Sequence, residues 1–365
     1  MKELDFNYIC SPHNNFKKTL GVVSDLLWGE ENRMISPLVT ILIITNSRPT
    51  LFKEALNSVI CQEHVEYPWE IVVMDNNPQE SRVLSIVKEL DNGRIRYYRN
   101  QRNIGHEGNI NRGVELAKGT WVAILHDDDL LVPNYLALIY KYVKACENWK
   151  KPLAYIRARH LLCTEDSKCI NSKSTTIEPK VFIRPELWCE SLLRGTGPTF
   201  VNSCGSLVNR NYFIKIGGYN QELYPIGDAT LGFIFMNKGY SVYASERILG
   251  YYRQGSNESI KMSTVISFIE ADYQLREYLY SQNRLSLLWG NVFRKTQFCK
   301  SVDSKNKILL KYTKVKPDML VKATDVEHIC KYEKNYFLEC LLIVIRVVFN
   351  IIYRPFHVFD KIINR

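Results

Sequence analysis

Three consecutive aspartates give the sequence its strongest chemical signal. Asp127, Asp128 and Asp129 follow His126 directly after the apolar run WVAIL. Like charges repel where water is excluded, so three carboxylates at the end of a buried strand are costly unless a cation neutralises them. Such oxygen ligands suit Mg²⁺ or Mn²⁺ shared with substrate phosphates. The run favours a divalent metal site over the alternative, an acidic surface loop before a helix.

Polar residues also follow two earlier apolar runs. Thr45 and Arg48 come after LVTILII, and Asp75 comes after EIVVM. A guanidinium pairs well with a phosphate, and a carboxylate accepts hydrogen bonds from a nucleobase or a ribose. Alternatively, Arg48 is an ordinary surface arginine and Asp75 belongs to a turn formed by Asp-Asn-Asn-Pro.

The elements that must position these residues alternate regularly. Short apolar runs predict buried strands, and amphipathic stretches between them predict helices, so the sequence indicates a doubly wound, mainly parallel α/β sheet. In such sheets ligands bind beyond the carboxyl ends of the strands. Neither GxGxxG nor GxxxxGK[ST] follows the first run, which argues against a dinucleotide-binding dehydrogenase and a P-loop enzyme. The predicted strands are 38–45, 70–74, 95–98, 121–125 and 153–163, and the predicted helices are 51–62, 80–90, 107–117, 135–145 and 228–237.

Composition supports a folded protein. The 365 residues are 46% hydrophobic and 24% charged, which excludes wholesale disorder and fibrous repeats. The ten cysteines form no CxxC pair, and the first 16 residues contain no apolar signal region. We therefore expect reduced thiols and a cytoplasmic location. A short helix is expected over residues 16–28.

The positive charge lies in the tail. Residues 281–365 hold 16 of the 48 basic residues and 7 of the 38 acidic ones, so they carry +9 of the net charge of +10. Within the tail, 336–352 (YFLECLLIVIRVVFNII) places its three polar residues on one narrow helical stripe. This pattern favours a helix lying in an anionic membrane surface at the inner face of the plasma membrane. A helix packed on the protein is the alternative, and the tail lacks the interleaved aromatics typical of a nucleic-acid binder.

Taken in order, these motifs resemble those of family 2 glycosyltransferases of the GT-A fold. The likeness spans roughly residues 37–259, and the motifs indicate the family together, not singly. The matching segments are 44–49 (ITNSRP), 58–62 (SVICQ), Asp75, 103–105 (NIG), 117–119 (AKG), 127–133 (DDDLLVP), 217–221 (GGYNQ) and 227–228 (GD).

The resemblance implies a role for each matching residue. Thr45, Arg48 and Asp75 would surround the base and ribose, Asp127 would contact the ribose, and Asp128, with Asp127, would bind the Mn²⁺ or Mg²⁺ joined to the diphosphate. Asp228 would be the general base, and it is also expected to cap the helix that follows it.

The chain departs from the family at four places. Residues 44, 46 and 47 of the first loop differ, His126 opens the acidic run, Gly227 replaces an acidic residue before the base, and 252–255 (YRQG) lacks a histidine. We interpret His126 as a packed side chain.

The predicted function is an inverting, metal-dependent sugar transfer. The donor is a nucleoside-diphosphate sugar, which the resemblance implies is uridine-linked. The acceptor is a hydroxyl of a glycan or lipid-linked saccharide, as in surface-polysaccharide (O-antigen or capsule) assembly. The acceptor pocket is expected to involve Tyr155, Arg157, Trp188 and Asn202. The alternatives are a nucleotidyltransferase of related fold and a catalytically inactive sugar-nucleotide or glycan-binding protein. The predicted organisation is an N-terminal extension (1–36), a GT-A domain (37–260), a basic helical extension (261–335) and an amphipathic C-terminal helix (336–365).

Overall fold

A computed structural model describes most of the first 281 residues. The described ranges are 5, 13–31, 36–79, 82–91, 93–148, 152–164, 183–185, 204–254 and 261–281, with single positions at 302, 303, 306, 307, 310, 340 and 344. Their strands are β1 Ser24–Trp28, β2 Val39–Thr45, β3 Trp69–Asp75, β4 Ile95–Asn100, β5 Trp121–His126, β6 Leu130–Leu131, β7 Leu153–Thr164, β8 Ile183–Pro185, β9 Ser206–Asn209 and β10 Ser241–Gln254. Their α-helices are α1 Pro49–Ile60, α2 Arg82–Leu90, α3 His106–Leu116, α4 Tyr135–Cys146, α5 Arg210–Lys215, α6 Gly227–Asn237 and α7 Met262–Ser281.

The strands form one sheet in the order β1-β4-β3-β2-β5-β9-β7-β10-β6, and β8 pairs with β10. The four strands β4, β3, β2 and β5 run parallel. β9 joins β5 to β7 and is antiparallel to both. The doubly wound, largely parallel sheet expected from the sequence is thus confirmed for its first half, whereas β9 makes the second half mixed.

Helices cover both faces of the sheet because its central strands are apolar on both sides. In β2, Ile41 and Ile43 pack on the face covered by α1, α2 and α4. Leu42 and Ile44 pack on the other face, against α3 and α6. All seven residues of β2 are buried, as the unbroken apolar run predicted.

The helix expected over residues 16–28 is wrong. A 3₁₀ helix spans Asn15–Thr19, and Ser24–Trp28 forms β1, an edge strand antiparallel to β4. Its side chains alternate between half-buried and exposed, which is the period of a strand with one face on the protein. Part of the predicted N-terminal extension therefore belongs to the sheet.

The last third of the chain lies largely outside the described residues. α7 begins the predicted helical extension, and the amphipathic stretch 336–352 is outside the description except at positions 340 and 344. Among the described helices, none combines the length and apolar character needed to cross a lipid bilayer.

Candidate active site

The parallel register brings the chemistry-bearing strand ends together. Thr45 at the end of β2 pairs with Asp75 at the end of β3, and Ile44 pairs with His126 at the end of β5. The chain after β5 therefore starts beside Thr45. The structure places Thr45, Arg48, Asp75 and the acidic run at the same edge of the sheet.

Arg48 joins two of the aspartates. Its Nη2 lies 2.6 Å from Oδ1 of Asp127, and its Nη1 lies 2.5 Å from Oδ2 of Asp128. Thr45 donates its hydroxyl to Oδ2 of Asp127 over 2.7 Å. Asp127 and Asp128 are buried, whereas the Arg48 side chain is 38% exposed. The guanidinium therefore closes the solvent side of the carboxylate pair.

These contacts set the charges of the cluster. Burial raises the pKa of Asp127 to about 6, the Arg48 charge pulls it down, and Asp128 pushes it up. Burial alone would lower the pKa of Arg48, but the two carboxylates outweigh it and raise that pKa above its ordinary value. Burial and the neighbouring Asp128 raise the pKa of Asp129 well above the usual range. One arginine therefore does not offset the cost of burying these carboxyl groups together.

His126, Asp128 and Asp129 offer a set of metal ligands. One ligand atom from each lies within 4.8 Å of the others. Oδ1 of Asp129 accepts from the backbone N–H of Arg253 over 3.1 Å, Oδ2 is buried, and the Cys204 thiol also hydrogen-bonds to this carboxyl group. Burial and the Arg48 charge lower the pKa of His126 to about 4, so its imidazole is neutral and able to coordinate at pH 7. The two carboxyl groups suit Mn²⁺ or Mg²⁺, whereas an imidazole is a ligand more typical of transition metals.

The sequence assigned the metal to Asp128 and Asp127. In the structure, Asp127 contacts Thr45 and Arg48, and the candidate ligand group consists of Asp128 with His126 and Asp129. His126 also makes the ring contact expected of a packed side chain, since its centroid lies 5.1 Å from that of His106. The choice between the two ligand sets stays a prediction.

Asp75 lies one strand further from the acidic run. Its Oδ2 accepts from the Tyr97 hydroxyl over 2.5 Å and from Nε of Arg99 over 3.3 Å, and its Oδ1 accepts from the backbone N–H of Asn77 over 3.0 Å. The side chain is fully buried, and burial raises its pKa despite these donors. Both oxygens of this predicted base-binding residue are thus already engaged within the protein.

Asp228 lies in the first turn of α6, but it does not cap the helix. The cap residue is Ile226, because α6 begins at Gly227, one residue earlier than predicted. Asp228 faces Glu107 and Tyr219 closely enough to raise the pKa of both side chains. The structure therefore groups Asp228 with Glu107, which the sequence analysis missed.

The first turn of α3 lies between the two carboxylate groups. His106 contacts the ring of His126, and its Nδ1 lies 3.9 Å from Oε1 of Glu107. No local signal in the sequence could have revealed Glu107 as a partner of Asp228, since an acidic residue at a helix start is ordinary. Only the fold brings them together.

The predicted acceptor residues have mixed outcomes. Tyr155 is fully buried, and its ring stacks on Phe235 at a centroid distance of 6.2 Å. Its prediction as a pocket-lining residue is therefore wrong, because β7 turns it into the core. Arg157 is half-buried on β7, and Trp188 and Asn202 lie outside the described residues.

Comparison with known proteins agrees with this geometry. The sequence profile described as "Glycosyl transferase family 2" matches residues 40–148. The "Uncharacterized glycosyltransferase MJ1057" of Methanocaldococcus jannaschii is 32% identical over 114 residues, which span 30% of this chain and 39% of that protein. The "GalNAc(5)-diNAcBac-PP-undecaprenol beta-1,3-glucosyltransferase" of Campylobacter jejuni is 28% identical over 226 residues, or 60% of this chain and 67% of that protein.

One solved structure shares the fold over almost the whole chain. The "Mannosyltransferase PcManGT from Pyrobaculum calidifontis in complex with GDP-Man and Mn2+" superposes with a TM-score of 0.50 at 13% identity, covering 92% of both chains. The matched profile spans β2 to α4, the region that holds Thr45, Arg48, Asp75 and the acidic run. Residues 40–148 therefore form a domain that resembles those of glycosyl transferase family 2, and the chain shares the GT-A fold.

Proposed function

We propose that the protein transfers a sugar from a nucleoside-diphosphate sugar to a hydroxyl group of a glycan or lipid-linked saccharide, with inversion at the transferred carbon. The observation that carries this proposal is the arrangement at the strand ends, where Arg48, Asp127 and Asp128 lie in contact inside the matched family 2 region. A cluster of buried carboxylates beside a guanidinium suits a diphosphate bound with a cation.

The donor would lie along the carboxyl ends of β2, β3 and β5. Thr45 holds Asp127, which would contact the ribose, and the partly exposed Arg48 would bind phosphate oxygens. His126, Asp128 and Asp129 would hold Mn²⁺ or Mg²⁺. A bound ion of this kind supplies positive charge that stabilises the departing diphosphate.

Asp228 is the proposed general base. It takes the proton of the acceptor hydroxyl while the acceptor oxygen forms its bond to the sugar carbon. The bond from that carbon to the diphosphate oxygen breaks with its electron pair. A single base opposite the leaving group is what one in-line displacement requires.

The acceptor and the cellular site belong to the same proposal. The Campylobacter jejuni relative is named for action on a saccharide joined to PP-undecaprenol. A lipid-linked acceptor would also agree with the basic tail and the amphipathic stretch 336–352. We propose that the protein works on such an acceptor at an anionic membrane surface, on the cytoplasmic side.

A screen of sugar nucleotides, beginning with uridine-linked ones, tests the donor class. Hydrolysis and transfer are measured with Mn²⁺, Mg²⁺ or chelator for the native protein, Asp128→Ala and Asp228→Asn. We expect Asp128→Ala to lose diphosphate binding. Asp228→Asn should bind the donor as the native protein does and lose at least about 100-fold in transfer, the usual size of a general-base effect.

Asp25→Asn serves as the matched control, since Asp25 is an exposed aspartate on the edge strand β1. It should leave donor binding and transfer unchanged. Equal donor turnover in the native protein, Asp128→Ala and Asp228→Asn would contradict both assignments.

A further inference from the structure

Glu107 is a buried carboxylate to which the proposed reaction has so far given no role. It is the second residue of α3, and only 7% of its surface is exposed. Its helix starts directly after Gly105, whose φ of 78° lies in the region that favours glycine. The chain therefore turns sharply at the sheet edge and directs the first turn of α3 into the protein.

The Glu107 carboxyl group lies beside Gly227. A Cβ atom at position 227 would come 3.7 Å from Oε1 of Glu107, 3.8 Å from its Cγ and 3.4 Å from Cδ1 of Tyr219. Glu107 thus packs against the residue that immediately precedes Asp228. Glu107 and Asp228 each lie in the first turn of a helix, and Asp228 is near enough to raise the pKa of Glu107.

Hydrogen bonds on both sides of Glu107 hold α3 against the segment that precedes α6. One turn further along α3, Asn111 donates its Nδ2 to the carbonyl of Tyr219 over 2.9 Å, and its Oδ1 accepts from the N–H of Tyr219 over 2.8 Å. Gln221 donates its side chain to the carbonyl of Ile104 over 2.9 Å. The segment before α6 is therefore fixed to α3, so Glu107 has little freedom to turn away from Asp228.

The surroundings of Glu107 make its charge costly. Burial is the largest cause, and with the nearby Asp228 it raises the pKa of Glu107 to about 7. His106 lies 3.9 Å away on the same helix, Tyr219 faces Glu107 from the preceding loop, and Asp228 faces it from α6. The two helix N-termini offset part of the repulsion, since their free N–H groups favour negative charge.

We propose that Glu107 is a positioning residue that forms a carboxylate pair with Asp228 and strengthens Asp228 as the base for the acceptor hydroxyl. This inference rests on the proposed function. A negative charge beside Asp228 raises the affinity of Asp228 for a proton. The transferred proton goes from the acceptor oxygen to Asp228, and Glu107 acts only through that group.

Kinetics provide the first test. With a donor found in the screen, Glu107→Gln should lower kcat at least about tenfold and leave the KM for the donor unchanged, because the donor binds at the strand ends. Glu107→Asp keeps the charge and should recover part of kcat. Glu115→Gln is the control: it removes the same charge two turns along α3, where Glu115 pairs with Arg112, and should have no effect.

Thermal unfolding provides a test that needs no substrate. An unfolded glutamate has a pKa of about 4.3. Because the folded pKa is higher, Glu107 costs the native protein stability as pH rises from that value towards 7. Glu107→Gln should therefore raise Tm by roughly 4 °C at pH 8 and by little at pH 4.5. In the double variant Glu107→Gln with Asp228→Asn, the rise in Tm should be smaller than the sum of the rises in the two single variants.

The outcomes separate this inference from the proposed function. A native protein that transfers sugar while Glu107→Gln keeps a kcat within about twofold of native would overturn the role of Glu107 alone. So would additive Tm changes, or a Tm that falls equally at both pH values. A native protein that turns over no sugar nucleotide would overturn the proposed function, and the role of Glu107 in catalysis with it.

Discussion

Arg48 is held by two carboxylates at once, and this explains how the acidic run is tolerated. Each of its terminal nitrogens contacts a different aspartate. A planar guanidinium can do this without strain, whereas a lysine ammonium presents a single point charge. A diphosphate arriving with a cation would compete with Asp127 and Asp128 for Arg48.

The pKa of Asp127 leads to a pH prediction. A carboxyl group with a pKa of about 6 is protonated below that pH, so binding of UDP with Mn²⁺ should weaken as pH falls from 7 to 5. The Arg48 charge lowers this pKa, so Arg48→Gln should move the midpoint to a higher pH. Calorimetric titrations across the pH range would give both midpoints.

Arg102→Gln is a suitable control for this prediction because Arg102 is an exposed arginine outside the strand-end cluster. It should leave the midpoint near pH 6. A midpoint that stays in place in Arg48→Gln would show that the guanidinium does not set the charge of Asp127.

The contacts of some of these residues could be predicted from the sequence. Thr45 and Asp127 follow apolar runs that form neighbouring parallel strands, so their meeting follows from the fold class. The pairing of Glu107 with Asp228 depends on how α6 packs against α3. The two residues are far apart in the chain, and no periodicity encodes that packing.

A buried ion-pair network holds the amino ends of three strands together. Arg96 on β4 is 1% exposed, and its Nη2 lies 2.9 Å from Oε2 of Glu70 on β3. Oε1 of Glu70 accepts from the Thr40 hydroxyl of β2 over 2.7 Å and from the N–H of Lys118 over 2.8 Å. The network thus ties β2, β3 and β4 at the edge opposite the candidate site.

Removing one partner of this network should cost more stability than removing both. Arg96→Met leaves Glu70 buried without its cation and should lower the free energy of unfolding by about 3–5 kcal/mol. Adding Glu70→Gln to Arg96→Met should restore part of that loss. Urea unfolding of the three proteins would measure it, and a double variant less stable than Arg96→Met would contradict the expectation.

The elements that sequence reasoning predicts well are those with a local signal. β2, β3 and β5 are unbroken apolar runs, and α1 and α4 show clear helical periodicity. β1 was mistaken for part of a helix because its strand character depends on pairing with β4, 69 to 76 residues later. β10 lacks such a continuous signal, since irregularities in its pairing with β7 interrupt it.

Almost all of the net positive charge lies in the last 85 residues, 281–365. The first 280 residues carry only +1 of the net +10. We expect the full chain to sediment with vesicles of phosphatidylglycerol and phosphatidylcholine. A chain lacking residues 336–365 should bind them at least about tenfold more weakly, because it loses the amphipathic stretch and four basic residues.

Vesicles of phosphatidylcholine alone provide the control, and raising the salt concentration should weaken binding to the anionic vesicles. Full binding by the shortened chain would assign membrane attachment to another part of the protein. Sugar-nucleotide binding should be the same in both chains, since the described strand-end residues precede the tail.

The hydrogen bond from the N–H of Arg253 to Asp129 also bears on how the protein matures. β10 is the last strand of the described sheet, and it supplies this donor to a loop made more than a hundred residues earlier. A nascent chain emerging from the ribosome therefore completes β2 to β5 well before Asp129 receives its backbone partner. A cation site that includes Asp129 would be completed late in synthesis, after helix α6 with Asp228 has been translated.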